Sequence, residues 1–378
     1  MRSARFVVIG AGFAGAATAF FLTQHGAEHV TILERERIPG VHASGRNAAM
    51  VRQVVDDPAI ATMASEGRRF IHDWSRRTSD SHFHQTGSML LGGPDLSVRF
   101  DQHIRRDSPL AEAEVLTRRH AAMQVHLLRN ADFECTVWCK SDGVVDTSAL
   151  LQHYLDEACQ GDAKLILHAP VSRIEIIEGA VRSVRAGKNT IPCDVLINAS
   201  GAWATQIGEL AGSSCMPLPS YRRHLLCSHP IKNINSDWPF VWDIRNGIYF
   251  RPESNGLLLS PCDHTEHDPC LPRLDEGAID LLATKLQRHV PDLASIGIAN
   301  GWAGLRTIAS DNKFVIGWDK SVQGFFWVAG LGGHGVTCSA AVGKLAADLL
   351  LGQKSNSNAF DPSRLCPEVV QHGKSDLS

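Results

Sequence analysis

The amino-acid sequence predicts an α/β chain, α+β overall, in which one domain is dispersed along the sequence and a second, built on a β-sheet, is inserted into it. Three observations carry that expectation. The chain opens with a buried-strand run, Phe6-Val7-Val8-Ile9, then a glycine-rich turn, Gly10-Ala11-Gly12-Phe13-Ala14-Gly15, and an alanine-rich helix to about Gln24. Apolar runs of strand length return at 164–167, 194–199 and 325–329, the last followed by a helix over 339–351. Between these lie insertions with strand patterning, among them a hairpin from Gly247 to Ser260.

Each element has its reason. The spacing G-x-G-x-x-G between a strand and a helix, with a second strand His29 to Leu33 ending in Glu34, marks a Rossmann-type dinucleotide site. Gly10 permits the tight turn, Gly12 lets the backbone approach a pyrophosphate, and Gly15 allows close helix–strand packing. The helix N-terminus offers the phosphates its unpaired N–H groups and positive dipole end. Glu34 is placed to accept from a ribose 2′-OH, and its charge disfavours a 2′-phosphate. Farther on, a hairpin-like stretch over Ile174 to Val184 accompanies the strands of 140–215. Glu253-Ser254-Asn255-Gly256 reads as a tight turn, because Asn-Gly favours one. The expected division puts the dinucleotide domain in 1–85, 140–215 and 302–378, and the second domain in 86–139 and 216–301. A site belongs where they meet.

Composition narrows the function classes. The chain has 378 residues, 44% hydrophobic and 20% charged, with a formal net charge of −3. That is an ordinary globular balance, and it argues against a protein devoted to nucleic acid or an anionic membrane surface. The 18 histidines are scattered. The 10 cysteines contain no C-x-x-C pair and are read as reduced small hydrophobes, with no metal site. A basic MRSAR start ahead of the uncharged Phe6 to Leu22 mimics a secretory leader, but its glycines and its interruption favour the strand–turn–helix reading and a cytoplasmic protein.

Several segments are similar to the D-amino acid oxidase superfamily of FAD-dependent oxidoreductases. They are Arg35 to Met50, Asp142-Gly143-Val144-Val145-Asp146, Asn198-Ala199-Ser200-Gly201-Ala202-Trp203-Ala204, Gly332-Gly333-His334-Gly335-Val336-Thr337 and Phe360-Asp361-Pro362-Ser363-Arg364. The resemblance implies FAD, held non-covalently, since no cysteine lies between Gly304 and Gly335 where sarcosine oxidases tether theirs. The implied FAD contacts are Gly10, Gly12, Phe13, Ala14, Gly15, Glu34 and Arg35 in the first unit. They continue through Ser44, Gly45, Arg46, Asn47, Ala48, Ala49 and Met50, then Val171, Ala199, Gly201 and Trp203. The last are Arg306 and the run Gly332, Gly333, His334, Gly335, Val336 and Thr337.

Within the superfamily, Arg222-Arg223, Tyr249-Phe250-Arg251-Pro252, Trp302-Ala303-Gly304-Leu305-Arg306 and Gly324 to Ala329 resemble the D-arginine dehydrogenase branch. The resemblance makes Arg223, Tyr249 and Arg306 the holders of a substrate carboxylate, the planar guanidinium being its best-matched partner, with Arg222 as fallback. His334 sits in a Gly-Gly-His-Gly loop expected to act mainly through its backbone, and that loop also resembles the sarcosine and glycine oxidase branch. Three departures stand out: Met50 replaces a family His, Val55 a Tyr, and Ser88 an acid that would pair with a substrate guanidinium. A buried cationic side chain would then lie unpaired, so D-arginine itself is expected to be a poor substrate. Arg52 and Gln53, in the altered loop, suit a polar or acidic side chain. The expected chemistry is hydride transfer from Cα of a non-cationic D-amino acid to flavin N5, giving an imino acid that hydrolyses to a 2-oxo acid. Where sarcosine-type oxidases carry a lysine over the flavin, Gly256-Leu257-Leu258-Leu259 is apolar, which favours a quinone or other carrier over O2 as electron acceptor. The alternatives are a secondary or N-alkyl amino acid as substrate, and a flavin-bearing subunit that needs a partner.

Overall fold

The computed structural model describes residues 2–78, 80–99, 112–214, 217–353 and 359–365. The last part of the expected dinucleotide domain, 366–378, therefore lies outside the described residues, as does 100–111 of the second.

Strand β1 (Arg5–Ile9), helix α1 (Phe13–Gln24) and strand β2 (His29–Leu33) form where the sequence places them. They sit at the middle of a six-stranded sheet. On one side of β1 lie Val195–Asn198, then Phe325–Ala329 and Val315–Trp318; β2 and then Lys164–Ile166 lie on the other. All the pairings are parallel except the outer one between Val315–Trp318 and Phe325–Ala329. A strand buried on both faces has no reason to alternate, and Phe6 to Val8 are each at most 1% exposed. Helix α1 is apolar nearly all round because it lies between the sheet and the helices Thr147–Gln160 and Ser339–Leu350. The hairpin expected over Ile174 to Val184 pairs Val171–Ile177 with Ala180–Ala186 in a separate three-stranded antiparallel sheet.

The second domain is built on a nine-stranded sheet that draws strands from Ser88–Gly92, Ala113–Leu116 and Cys135–Cys139 and from 220–266. Strand Ile298–Thr307 pairs with Ser220–Ser228 over its whole length, so position 302 falls inside a strand of this sheet. The hairpin joins Ile248–Glu253 to Gly256–Ser260. Its two left-handed positions are Ser254 (φ 47°) and Asn255 (φ 63°), so Asn supplies the second and Gly256 already pairs with Glu253. None of the eight described cysteines is in a disulfide. Among the described residues, no helix is long and apolar enough to cross a membrane.

Candidate active site

A cavity of about 480 Å³ runs from the C-terminal end of β1 to the face of the nine-stranded sheet. Its first end is built by the glycine-rich turn. Helix α1 begins at Gly12, which has no side chain to cap it; the Phe13 N–H instead donates to Ser44 Oγ at 3.0 Å, from the loop opposite. A side chain at Gly12 would put its Cβ 2.8 Å from that oxygen. Glu34 is 7% exposed and lines the cavity, with its carboxylate accepting from the Ala11 N–H at 2.9 Å and the Glu36 N–H at 3.0 Å. It thus braces the turn while facing the space where a ribose belongs. Beyond it, Arg35 lies over the Trp203 ring at 4.4 Å and the His42 ring, inclined at 59°, contacts the same ring at 4.5 Å.

The loop from 36 to 50 is pinned from several sides. Arg46 donates to the carbonyls of Val41 and Ala303, and Asn47 bonds the Ser44 carbonyl and the Ala49 N–H. Thr337 Oγ1 joins Met50 to Arg52: it donates to the Met50 carbonyl and accepts from the Arg52 N–H. The loop after Phe325–Ala329 closes the opposite wall with Gly330, Gly332 and Gly333, all at positive φ.

Most of the expected contacts line this one cavity: Gly10, Gly12, Phe13, Ala14, Glu34, Arg35, Ser44, Arg46 to Met50, Val171, Ala199, Gly201, Trp203, Arg306 and Gly332 to Thr337. Gly15 and Gly45 lie behind the lining. A Cβ at Gly15 would fall 1.9 Å from the Gly10 carbonyl oxygen, and one at Gly45 2.2 Å from that of Gly40, so both permit close backbone packing.

At the far end, Arg223, Arg306 and Arg52 all line the cavity. Neighbours on a strand point to opposite faces, so Arg222 turns away and pairs with Asp275, which removes it as the fallback. Arg223 donates through Nε to the Asp263 carbonyl at 2.7 Å, while its Nη1 is buried without a partner. The Asp263 carboxylate is committed to His224, accepting from its backbone N–H at 2.8 Å and bonding its ring at 2.7 Å. Burial would raise that carboxyl, but the His224 bonds and the Arg223 charge hold it below its usual range. The Arg306 guanidinium has no hydrogen-bond partner among the described residues and lies against Gly333, where a Cβ would come within 3.1 Å of its carbon. Burial, then the charge of Arg223, lowers its pKa. Tyr249 stands behind the lining, 1% exposed, its hydroxyl buried and unpartnered, with its ring 5.2 Å from that of Trp242. His334 lines the cavity; burial, then Arg52 and Arg306, push it down to about 3, so its ring is neutral.

Ser88 and Gln53 do not reach the cavity. Ser88 Oγ donates to Asp142 at 2.6 Å, and Gln53 donates to the same carboxylate through its backbone and side chain. Val55 is in the core. The altered loop faces the cavity with Met50 and Arg52, and the Arg52 guanidinium lies over the Trp242 ring at 4.2 Å. Trp242 was not legible as a site residue, since its role arises from a strand pairing that brings it beside Tyr249.

The glycine-rich cradle, the capped-from-outside helix, the Glu34 carboxylate beside it and the aromatic and cationic cluster at Trp203 fit FAD, and together they define an FAD-dependent oxidoreductase. The chain belongs to the DAO family of FAD-dependent oxidoreductases, whose family model matches residues 5–349. It is 24% identical to the mitochondrial pyruvate dehydrogenase phosphatase regulatory subunit of Mus musculus over 95% of this chain, and spans 42% of that relative's length. It is 22% identical to the mitochondrial dimethylglycine dehydrogenase of Homo sapiens over 92% of this chain, again spanning 42% of the relative. Among solved structures it resembles L-proline dehydrogenase from P. horikoshii, with a TM-score of 0.85 and 25% identity, covering 96% of this chain and 97% of that one.

Proposed function

We propose that this enzyme oxidises the Cα–N bond of an amino acid, a D-amino acid whose side chain carries no positive charge, to an imino acid that hydrolyses to the 2-oxo acid. The observation that carries the reading is Arg306, a planar guanidinium facing the cavity with no hydrogen-bond partner of its own among the described residues. A substrate carboxylate gives it two charge-assisted bonds. Arg223, with a free buried Nη1, completes the clamp, and Tyr249 backs it from behind the lining with a free buried hydroxyl.

FAD, when bound without a covalent tether, supplies the acceptor for the two electrons that leave Cα as hydride. The amine gives up the remaining proton as the C=N bond forms, and one water then releases ammonia and the 2-oxo acid. The protein's part is orientation: the arginines fix the carboxylate, and that fixes where Cα sits. Neutral His334 carries no charge to the amine and is too weak a base to take its proton at neutral pH. The amine therefore has to arrive neutral, and the rate rises with pH towards the amine's own pKa. Leu258, 1% exposed and packed on Ala48, Leu225 and Tyr249, offers no cation to promote reaction with O2. Electrons then pass to a quinone or another carrier.

The names of two relatives, a dimethylglycine dehydrogenase and an L-proline dehydrogenase, favour a second reading in which the substrate is an N-alkyl or secondary amino acid. One experiment separates the two: anaerobic titration of the flavin-loaded protein with D- and L-amino acids, sarcosine, N-methyl amino acids and proline, followed by flavin absorbance. Bleaching by D-amino acids with uncharged or acidic side chains and not by D-arginine supports the first reading; bleaching by the N-alkyl set alone replaces it with the second. No bleaching, in a protein still reducible by dithionite, turns the assignment to a subunit that needs a partner. Arg306→Ala is expected to lose about 2–5 kcal/mol in kcat/KM on the accepted substrate. Unchanged kinetics in that variant sink the clamp.

A further inference from the structure

We propose that the substrate carries two carboxylates, one held by Arg306 and Arg223 and the other by Arg52; this rests on the amino-acid reading above and names its substrate class. Three guanidinium groups line one end of the cavity, and the single acid in its lining among the described residues, Glu34, belongs to the opposite end beside the glycine-rich turn. Asp263, behind Arg223, is already committed to His224. Arg52 makes no close ion pair among the described residues, although the Asp142 and Asp56 carboxylates lie near enough to favour its charged form. The nearby Asp142 carboxylate is spent on Ser88 and Gln53.

Arg52 is nonetheless a built position. Its guanidinium carbon sits over the Trp242 ring at 4.2 Å, Trp242 is fixed by pairing with Tyr249, and the Arg52 backbone is held by Thr337. A cation held by a ring face spends none of its N–H donors on the ring, so they serve a ligand. Burial pushes Arg52 down to about 10, which still leaves it charged at neutral pH. A single carboxylate has about four acceptor sites, which the Arg306 fork and Arg223 largely consume. One carboxylate also leaves excess positive charge in a space that substrate closes to water, a costly arrangement. A second carboxylate, on the side chain or on the amine nitrogen, meets both deficits. It also excludes D-arginine for a reason that Ser88 does not supply: Arg52 repels a substrate guanidinium.

The test uses ligands without an amine, so that it does not depend on oxidation. The flavin-loaded full chain is titrated with malonate, succinate and glutarate and with the monoamide of each, reading Kd from the perturbation of flavin absorbance. The expected result is that at least one diacid binds about tenfold or more tightly than its monoamide. Arg52→Met is expected to erase that preference and keep the monoamide Kd within about twofold, while Arg52→Lys keeps most of it. Equal binding of all three diacids and their monoamides overturns the proposal. So does an Arg52→Met protein in which both classes weaken alike. Tight diacid binding in a protein that no amino acid reduces would keep this inference and remove the amino-acid reading; the reverse result would do the opposite.

Discussion

At the scale of single residues, the site separates charge from proton transfer. His334 is the one histidine of the Gly-Gly-His-Gly loop, and burial, then the charges of Arg52 and Arg306, deny it a proton: its pKa falls from 6.5 to about 3. The sign of the consequence follows from linkage. Between about pH 6.5 and 3 the unfolded chain takes up a proton that folded His334 refuses, so its contribution to stability is whole above that window and is lost as pH falls through it. His334→Asn should therefore make the protein less acid-sensitive, seen as a smaller drop in the urea midpoint between pH 7 and pH 5. The pH profile of anaerobic flavin reduction should keep its midpoint, because the amine and not the imidazole titrates there. A midpoint that moves with this substitution would make His334 an acid–base group after all.

At the scale of elements, two glycines of one turn divide their work. A Cβ at Gly12 meets only Ser44 Oγ, the end of a side chain that can rotate, on the surface that faces the cavity. A Cβ at Gly15 meets the Gly10 carbonyl at 1.9 Å and Val8 at 3.0 Å, backbone and core of the helix–strand contact. Gly15→Ala is thus expected to cost the apoprotein about 1–3 kcal/mol or more by overpacking. Gly12→Ala is expected to lower the apoprotein's urea midpoint less than Gly15→Ala does, by no more than the loss of the Ser44 bond to the Phe13 N–H, and to lower its FAD content on purification. Equal losses of stability in the two variants would contradict the division. These elements were legible because each is local: the strand β1, the turn and helix α1 are written in consecutive residues with a fixed spacing. The same holds for the hairpin ending at Ser260, whose turn is Glu253 to Gly256 as read, with Ser254 and Asn255 as its two left-handed positions. What local pattern does not carry is the extent of a sheet. The strand Ile298–Thr307 runs through position 302 because its partner Ser220–Ser228 is as long as it is, a fact about another segment.

At the scale of the whole molecule, the cavity is assembled from stretches at 9–52, 169–210, 223–272 and 304–337, which explains both what the sequence disclosed and what it withheld. The dinucleotide end was legible residue by residue, because Gly12, Glu34 and Trp203 each lie in a recognisable run. The substrate end was legible only as isolated arginines. That Arg52 stacks on Trp242, that Ser88 spends its hydroxyl on Asp142, and that Tyr249 stands behind the lining are tertiary facts with no local signature. The same dispersal would make bound FAD a structural ligand, adding to the direct contacts, such as Arg46 with Ala303 and Thr337 with Met50, that join these segments. A ligand that binds the folded state alone adds about 2.7 kcal/mol at a hundred times its Kd. Removing FAD should accordingly lower the melting temperature by several degrees and speed proteolysis in the loop from 36 to 50 and in that from 330 to 337, which face each other across the cavity. ADP, which carries the adenosine and pyrophosphate and lacks the flavin ring, reaches the end formed by Glu34, Trp203 and the start of α1. It should restore only part of the melting temperature and protect the first loop better than the second. If ADP restored the whole effect, the ring would contribute no net stability, and the glycine loop around His334 would have to be ordered without it.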